Sequence, residues 1–269
     1  MPSTLHSPAG IAYDRAGPRD DLPVVLLHAG IADRRMWNPQ WSALSAQRDA
    51  VRLDLRGFGE STERPRGALS AVDDVIDTLA ALDIGRCHLV GASFGAGVAV
   101  EVALTRAEQV GSLLLSAPGG SLIAEVTPDL RAFSDAEGSA LARDDLDGAI
   151  EANLAWWVDG PHRDVSDVDP AVRDLVGQMQ RRAFELTVGW DAVEEKELDP
   201  PALERLREIQ VPTLVLVGAL DLDAIQDAAQ RVTDGIPDAR RVDWPNTAHL
   251  PSMEHPDDFF ALLRNWLAP

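Results

Sequence analysis

The sequence predicts an α/β protein in which helices flank a mostly parallel central sheet. Apolar runs of strand length alternate with segments that repeat apolar residues at helical spacing, as in strands joined by crossover helices. The run Val24 to Leu27 is apolar throughout, as expected of a strand that is covered on both faces. A serine between two glycines, Ser93, stands where one predicted strand gives way to a helix.

The first half of the chain supplies four predicted strands and two helices. Residues 24–27 and 51–55 form the first two strands, the second reading Val-Arg-Leu-Asp-Leu. Residues 69–82 form a helix, because Val72, Val75, Ile76 and Leu79 recur at helical spacing with acids on the other face. Two further strands, at 87–90 and 112–116, enclose a predicted helix at 96–106.

The pattern changes in the middle of the chain. Between residues 121 and 201 acids, tryptophans and helix-like segments predominate, including 149–158 and 171–189. The alternation resumes with strands at 211–217 and 241–244 and ends in a helix at 256–267. The sequence therefore predicts a core formed by residues 1–120 and 202–269, interrupted by a helical cap at 121–201.

Composition limits the classes of partner. The 269 residues carry a formal net charge of -20, which disfavours nucleic acid and anionic membranes as partners. Cys87 is the only cysteine, so neither an intramolecular disulfide nor a thiolate metal cluster is available. Neither a secretion signal nor an apolar run of the roughly 20 residues that span a bilayer is apparent. We expect a cytoplasmic protein without a membrane or nucleic-acid partner.

The most informative motif is Gly91-Ala92-Ser93-Phe94-Gly95. A Gly-x-Ser-x-Gly segment between a strand and a helix is the signature of a nucleophile elbow. The turn is so tight that it strains the serine backbone, and larger side chains at the two glycine positions would collide. The serine oxygen then stands clear of the sheet, and the N–H groups that begin the next helix point toward a developing anion.

A serine nucleophile needs a general base, and the base needs an acid to orient it. We predict His249 as the base, because it lies in the loop between the last strand and the last helix. Asp221, shortly after the strand at 211–217, is the predicted acid, with Asp223 as the alternative. The chain order serine, aspartate, histidine is that of the α/β-hydrolases, and all three residues follow parallel strands at their carboxyl ends.

Two backbone N–H groups must stabilise the oxyanion. One is expected from Phe94, the residue after the nucleophile. The other is expected from the loop after the first strand, where Gly30 is the first choice and Ile31 the second. His28 precedes these residues, and we expect it to brace the loop by hydrogen bonds.

Several motifs together resemble the α/β-hydrolase superfamily, from the N-terminal strands to the last helix. They are the elbow, the loop at 28–31, the segment at 54–61, the segment at 218–221 and the segment at 248–251. Within the superfamily, Met36-Trp37-Asn38-Pro39-Gln40 is similar to the 3-oxoadipate enol-lactonase-like and carboxylesterase branch. Relatives such as haloalkane dehalogenases have an aspartate at the elbow, so Ser93 argues against their chemistry.

The resemblance implies a serine hydrolase that cleaves a small or medium carboxylic ester or lactone through an acyl-enzyme. That reaction needs no metal and no organic cofactor. Three alternatives remain open: a C–C bond hydrolase, a cofactor-free perhydrolase that uses the same triad, and a ligand-binding receptor with a slow triad.

The predicted pocket is largely apolar. Its candidate substrate-binding residues come from the oxyanion loop, the cap and the histidine loop: Ile31, Met36, Trp37, Trp156, Trp157, Trp190 and Leu250. A strongly anionic substrate would require a cap arginine such as Arg163, Arg181 or Arg182 to face the site.

Overall fold

A computed structural model describes residues 4–19, 22–190 and 192–268, which form an eight-stranded sheet covered by helices. The strand order is β1-β2-β4-β3-β5-β6-β7-β8. The strands are Leu5–His6 (β1), Ala12–Ala16 (β2), Val24–Leu27 (β3), Ala50–Leu53 (β4), Cys87–Ala92 (β5), Val110–Ser116 (β6), Thr213–Gly218 (β7) and Ala239–Trp244 (β8).

Helices connect the strands and cover the sheet. They are Asn38–Ser45 (α1), Ala71–Ala81 (α2), Phe94–Thr105 (α3), Pro128–Leu141 (α4), Leu146–Asn153 (α5), Pro170–Thr187 (α6), Ala202–Arg205 (α7), Asp223–Gly235 (α8), Pro251–Glu254 (α9) and Pro256–Trp266 (α10). A π-helical turn, Leu154–Asp159, follows α5. None of the described helices is both long and apolar enough to cross a membrane.

The six predicted strands correspond to β3 through β8, which pair in parallel. Some of these strands begin or end at residues other than the predicted ones, and local chemistry explains two of the differences. β7 begins at Thr213, after Pro212, because proline has no N–H to donate to a ladder. β4 ends at Leu53: the Asp54 N–H still donates to the carbonyl of Ala12 in β2, but the Leu55 N–H leaves the sheet and donates to His28 Nε2.

β1 and β2 lie outside the predicted strands and pair antiparallel with their neighbours. β2 reads Ala-Tyr-Asp-Arg-Ala, so polar residues interrupt its apolar character. Ion pairs satisfy those charges: Arg15 Nη2 lies 2.6 Å from Asp49 Oδ2, and Arg52 Nε lies 2.8 Å from Asp14 Oδ2. The partners are distant in sequence, so local hydrophobicity does not reveal this strand.

Between β6 and α7 the chain leaves the sheet, and we call residues 121–201 the helical insertion. It contains α4, α5, the π-helical turn and α6. The helix predicted at 149–158 is therefore the second half of α5 continued by the π-helical turn, and α4 precedes it unpredicted. The division of the chain into a core and a cap domain stays a prediction.

Candidate active site

Ser93 occupies the turn between β5 and α3, where its backbone has φ 50° and ψ -114°. A left-handed φ is costly for a residue with a side chain, so the surroundings must enforce it. A Cβ on Gly91 would lie 2.3 Å from the carbonyl oxygen of Gly95, and one on Gly95 would lie 2.6 Å from that of Leu27. Both glycines are thus required by close backbone contacts, as the pentapeptide predicts.

His249 and Asp221 form a buried pair in the loops after β8 and β7. His249 Nδ1 lies 2.8 Å from Asp221 Oδ2 and 3.0 Å from Oδ1, and the two side chains are 2% and 0% exposed. The loops are also joined through their backbones, since the N–H of Leu220 donates to the carbonyl of Thr247 at 2.9 Å. The contact holds the imidazole by Nδ1 and leaves Nε2 available for other partners.

Asp223, the alternative acid, has a different environment. It begins α8, and its carboxylate accepts hydrogen bonds from the Thr127 hydroxyl and from the Ala224 N–H. The Asp129 N–H also lies 3.4 Å from Asp223 Oδ2. This carboxylate ties α8 to the start of α4, so the geometry pairs His249 with Asp221 instead.

Ser93 shares one edge of the sheet with the pair, because β5, β7 and β8 are parallel and each precedes one of the three residues. Among the described residues, no hydrogen bond links the Ser93 hydroxyl to His249. Catalytic hydrogen bonds are often long in free enzymes and shorten when substrate binds. The arrangement brings together the residue types of a serine–histidine–aspartate triad.

The predicted oxyanion donors also lie together. A Cβ on Gly30 would lie 3.5 Å from Phe94 Cβ, and neither the Gly30 N–H nor the Phe94 N–H has an acceptor among the described residues. Phe94 is the first residue of α3, so its N–H has no helical partner. Two free N–H groups next to a serine can bind a developing negative charge.

His28 braces this loop from inside the protein. Its Nδ1 lies 2.8 Å from the carbonyl oxygen of Ala29, and its Nε2 lies 2.8 Å from the donating N–H of Leu55. The ring is therefore a neutral imidazole with the proton on Nδ1. Its complete burial lowers its pKa below the ordinary value, because the charged form is excluded from water.

The π-helical turn brings Trp157 against the histidine. The two ring centroids are 4.6 Å apart, and Phe133 of α4 contacts the other side of the indole edge-on at 5.1 Å. Trp157 is 8% exposed. A π-helical turn inserts one residue into a helix and is frequent at functional sites. Of the three tryptophans predicted in the insertion, this one is in contact with the site.

The other predicted pocket residues lie in several environments. Trp156 is half-buried against the core, and Trp190 is half-buried with its ring 3.2 Å from where a Cβ on Gly57 would be. Ile31 and Leu250 are buried beside Gly30 and His249 in the chain.

Met36 and Trp37 are fully buried, so they pack the core where the sequence predicted pocket walls. Met36 Sδ lies 3.3 Å from the Ala29 nitrogen, and the Trp37 ring lies 5.8 Å from that of Phe259 in α10. The apolar pair that suggested a pocket therefore packs behind the loop at 28–31.

The three arginines of the insertion that were considered for an anionic substrate are engaged elsewhere. Arg163 Nη1 lies 2.7 Å from Glu254 Oε2, and its other N–H groups donate to the carbonyls of Val158 and Asp159. Arg181 pairs with an exposed carboxylate, that of Asp147. Arg182 Nε lies 3.4 Å from the carbonyl oxygen of Gly59.

Sequence reasoning missed Glu254, at the end of α9. Its carboxylate accepts from the N–H groups of Ala248 and Leu250, on either side of His249, at 3.1 and 3.2 Å. An acid five residues after a histidine is too common a spacing to single out. Only the fold shows that this side chain returns to the histidine loop.

The turn at 54–61 is held together by a buried carboxylate. The buried carboxylate of Asp54 accepts from the N–H groups of Arg34 and Glu60 and forms an ion pair with the Arg34 guanidinium. Burial raises the pKa of Asp54, and the neighbouring guanidinium opposes that rise. In the part of the chain that the structure describes, no group of three or more His, Cys, Asp or Glu side chains could hold a metal ion.

Comparison with known families now adds to this geometry. The model of the Alpha/beta hydrolase family matches residues 24–262, a span that runs from β3 into α10 and includes Ser93, Asp221 and His249. The chain belongs to the alpha/beta hydrolase family. Its sheet and flanking helices are an α/β-hydrolase fold, and the protein is an enzyme of that fold.

Individual relatives are similar over most of their length. The chain is 25% identical over 244 residues to the 2-hydroxy-6-oxo-6-(2'-aminophenyl)hexa-2,4-dienoic acid hydrolase of Metapseudomonas resinovorans, covering 88% of this chain and 81% of that protein. It is 26% identical over 261 residues to 3-oxoadipate enol-lactonase 1 of Acinetobacter baylyi, covering 93% and 90%. The crystal structure of a hydrolase from Pseudomonas aeruginosa matches with a TM-score of 0.79 at 25% identity, covering 99% and 98%.

Proposed function

We propose that this enzyme is a serine hydrolase that cleaves a small or medium carboxylic ester or lactone. In this proposal Ser93 is the nucleophile, His249 the base and Asp221 the orienting acid. The observation that carries it is the buried hydrogen bond between His249 and Asp221, at the sheet edge where Ser93 is held at φ 50°. A carboxylate on Nδ1 fixes the imidazole tautomer whose Nε2 can accept a proton from serine.

The proposed reaction begins when His249 Nε2 takes the proton from the Ser93 hydroxyl as its oxygen attacks the carbonyl carbon. The N–H groups of Phe94 and Gly30 stabilise the oxyanion, each by about 2.7–4 kcal/mol. His249 then donates the proton to the leaving alkoxide, which leaves an acyl group on the serine. Water, activated by His249, attacks the acyl-enzyme and releases the carboxylic acid. Asp221 stabilises the imidazolium in both halves of the reaction.

The surroundings of the site favour a neutral, apolar substrate. Trp157 and Phe133 offer aromatic surface beside His249, and we propose that the helical insertion acts as the cap that carries it. Arg163, Arg181 and Arg182 are all engaged by carboxylates or carbonyls. A substrate carboxylate next to the reacting bond would thus meet no free guanidinium from this set, and burying it unpaired is costly.

The similarity to a dienoic acid hydrolase keeps C–C bond cleavage as the second candidate. It would use the same three residues, but its substrate, as that relative's name states, is an acid. The engaged arginines therefore favour an ester or lactone that carries no carboxylate. Perhydrolysis and slow ligand binding remain alternatives that the experiment below separates.

The test is labelling with a fluorophosphonate, with the adduct located by peptide mass spectrometry. We expect the wild type to be modified at Ser93, and Ser93→Ala and His249→Gln to remain unlabelled. Turnover is then compared between p-nitrophenyl butyrate and mono-p-nitrophenyl glutarate, which differ chiefly in a terminal carboxylate. We expect kcat/KM to be higher for the neutral ester by roughly tenfold or more.

The proposal fails if folded wild-type protein gives no Ser93 adduct, a result that favours the ligand-binding alternative. An adduct without turnover of either ester, but with cleavage of a ring-fission product, favours the C–C hydrolase. Halide oxidation with acetate and peroxide, in place of ester turnover, favours the perhydrolase. Preference for the anionic ester contradicts the neutral pocket and leaves the triad intact.

A further inference from the structure

The loop that carries His249 is fixed by a side chain outside the triad. Glu254 accepts hydrogen bonds from the N–H groups of Ala248 and Leu250, so it holds the backbone on both sides of the histidine. The Glu254 side chain is 6% exposed. A buried carboxylate needs a cation as well as N–H donors, because burial without pairing disfavours its charge strongly.

The cation comes from the helical insertion. Arg163 Nη1 lies 2.7 Å from Glu254 Oε2, and the Arg163 side chain is 9% exposed. The pair joins residues 91 positions apart in the chain. The same guanidinium donates from Nε to the carbonyl of Asp159 and from Nη2 to that of Val158, both at 2.7 Å.

Those two carbonyls belong to the end of the π-helical turn that carries Trp157. Arg163 therefore links two parts of the site. It binds the π-helical turn, which packs on the His249 imidazole, and it pairs with Glu254, whose carboxylate holds the backbone on both sides of His249. Gly160 brings the segment still closer, since a Cβ there would lie 2.7 Å from the Leu220 carbonyl oxygen and 3.2 Å from Ala248 Cβ. At Gly160 the insertion therefore contacts both the loop that carries Asp221 and the loop that carries His249.

We propose that Arg163 and Glu254 form a latch that makes the position of His249 depend on the helical insertion. Both are positioning residues: they act through the 248–250 backbone and through Trp157, without touching the reacting atoms. When the latch is closed, the imidazole is held between Asp221 and the indole. When Arg163 is removed, Glu254 loses its cation, and no guanidinium links the loop of His249 to the π-helical turn. The effect on rate rests on the function proposed above.

The experiment compares four variants with the wild type, each checked for folding by thermal unfolding. Arg163→Met removes the cation, Glu254→Gln removes the anion, and Arg163→Met/Glu254→Gln removes both without stranding a charge. Arg163→Lys keeps the charge but not the three-way fork, which only a guanidinium provides. The control is Arg181→Met, because Arg181 belongs to the same insertion and pairs with Asp147 of α5, outside the π-helical turn.

Two readouts are taken. For p-nitrophenyl butyrate we expect kcat to fall roughly 10- to 100-fold in both single Met and Gln variants, with KM changed by no more than about twofold. Arg163→Lys should lose nearly as much, and the double variant should be no worse than the poorer single one. Amide exchange over residues 246–254, followed by mass spectrometry, should accelerate roughly tenfold in Arg163→Met, as for the loss of one charge-assisted hydrogen bond.

The latch is overturned if folded Arg163→Met keeps wild-type exchange over 246–254, or keeps wild-type kcat in an active enzyme. It is equally overturned if Arg181→Met loses as much kcat, or if Arg163→Lys keeps the wild-type rate, which would mean that charge alone suffices. The exchange measurement needs no catalysis. If the wild type neither labels at Ser93 nor turns over ester, the proposed function fails, while exchange still decides whether the insertion holds the histidine loop.

Discussion

Ser93 has a side chain and yet adopts φ 50°, a conformation that favours glycine. Its backbone is held from three directions. The Ser93 N–H donates to the carbonyl of Ser116, and its carbonyl accepts from the N–H groups of Ala96 and Gly119. These bonds come from the neighbouring strand end and from the first turn of α3. A residue is kept in a strained conformation only when several contacts enforce it together, and this serine meets that condition.

At the same scale, His28 makes stability depend on pH. Its folded-state pKa lies below the ordinary value of 6.5 because the ring is buried, so below pH 6.5 the unfolded chain binds a proton that the folded chain does not. This stabilisation is complete above the unfolded pKa and is lost as pH falls toward the folded one. From pH 7.5 to 5.5 we expect the wild type to lose up to about 1.4 kcal/mol more free energy of unfolding than His28→Gln.

Urea unfolding at the two pH values measures the change in the free energy of unfolding for each protein separately. The variant's loss of packing lowers its stability equally at both pH values, so it does not affect the comparison. His162→Gln, which changes an exposed ring, is the matched control. Equal losses in the wild type and His28→Gln would show that His28 takes up a proton in the folded protein over the same pH range as in the unfolded chain. They would contradict the neutral ring inferred from its two hydrogen bonds.

At the scale of elements, parallel strand ends collect the candidate site. β5, β7 and β8 end on one edge of the sheet, and each is followed within a few residues by Ser93, Asp221 or His249. The π-helical turn is the element that reaches this edge from the insertion. It arrives by close backbone contact, because Gly160 at its end has φ 86° and faces the Leu220 carbonyl.

The element-scale prediction compares Gly160→Ala with Gly189→Ala. Both glycines have a positive φ, but a Cβ on Gly189 meets nothing within 4 Å, while one on Gly160 lies 2.7 Å from a carbonyl oxygen. We expect Gly189→Ala to cost about 1–2 kcal/mol through its backbone alone. Gly160→Ala should cost about 1–3 kcal/mol more, since the turn must shift, and ester turnover should fall with it.

Urea unfolding measures the loss of stability in each variant, and steady-state assays measure the change in ester turnover. Equal losses of stability, with turnover unchanged in both variants, would mean that the contact between the insertion and the acid loop is unimportant.

At the scale of the whole molecule, the net charge of -20 is the dominant electrostatic fact. Many of the 24 cationic side chains are already paired with acids, as in the cluster of Arg34 with Asp14, Asp54 and Glu60. The surplus acids repel one another more in the compact state than in the unfolded chain. The same surplus of acidic side chains repels polyanions.

We therefore expect NaCl to stabilise the protein, because salt screens repulsion between exposed carboxylates. A gain of about 1 kcal/mol between 10 mM and roughly 0.5 M NaCl would raise Tm by about 2–4 °C for a chain of this size. Thermal unfolding across this range measures the effect. A Tm that falls with salt would mean that surface ion pairs such as Arg181 with Asp147 outweigh the repulsion.

Local patterns predicted much of this fold and candidate site. Strands β3 to β8 are short apolar runs, and such runs report burial directly. The strained turn at Ser93 was predictable because Gly91 and Gly95, two residues before and after the serine, indicate a tight turn in the sequence itself. Strand β2 and helix α4 were missed for the opposite reason: their residues are polar enough to resemble loops. In β2, Asp14 and Arg15 are paired with residues distant in sequence.

The sequence by itself determined the α/β architecture and the elbow at Ser93, because the strands, the helices and the Gly-x-Ser-x-Gly turn are each formed by residues close together in the chain. The order of serine, aspartate and histidine followed from the place of each residue just after its own predicted strand. Only the tertiary structure decided that Asp221 and not Asp223 meets His249, that Trp37 packs in the core, and that Trp157 alone of the candidate tryptophans contacts the imidazole. Contacts across many tens of residues depend on how the chain returns on itself. No local pattern carries that information. The ion pair of Arg163 with Glu254 is the clearest instance of such a long-range contact.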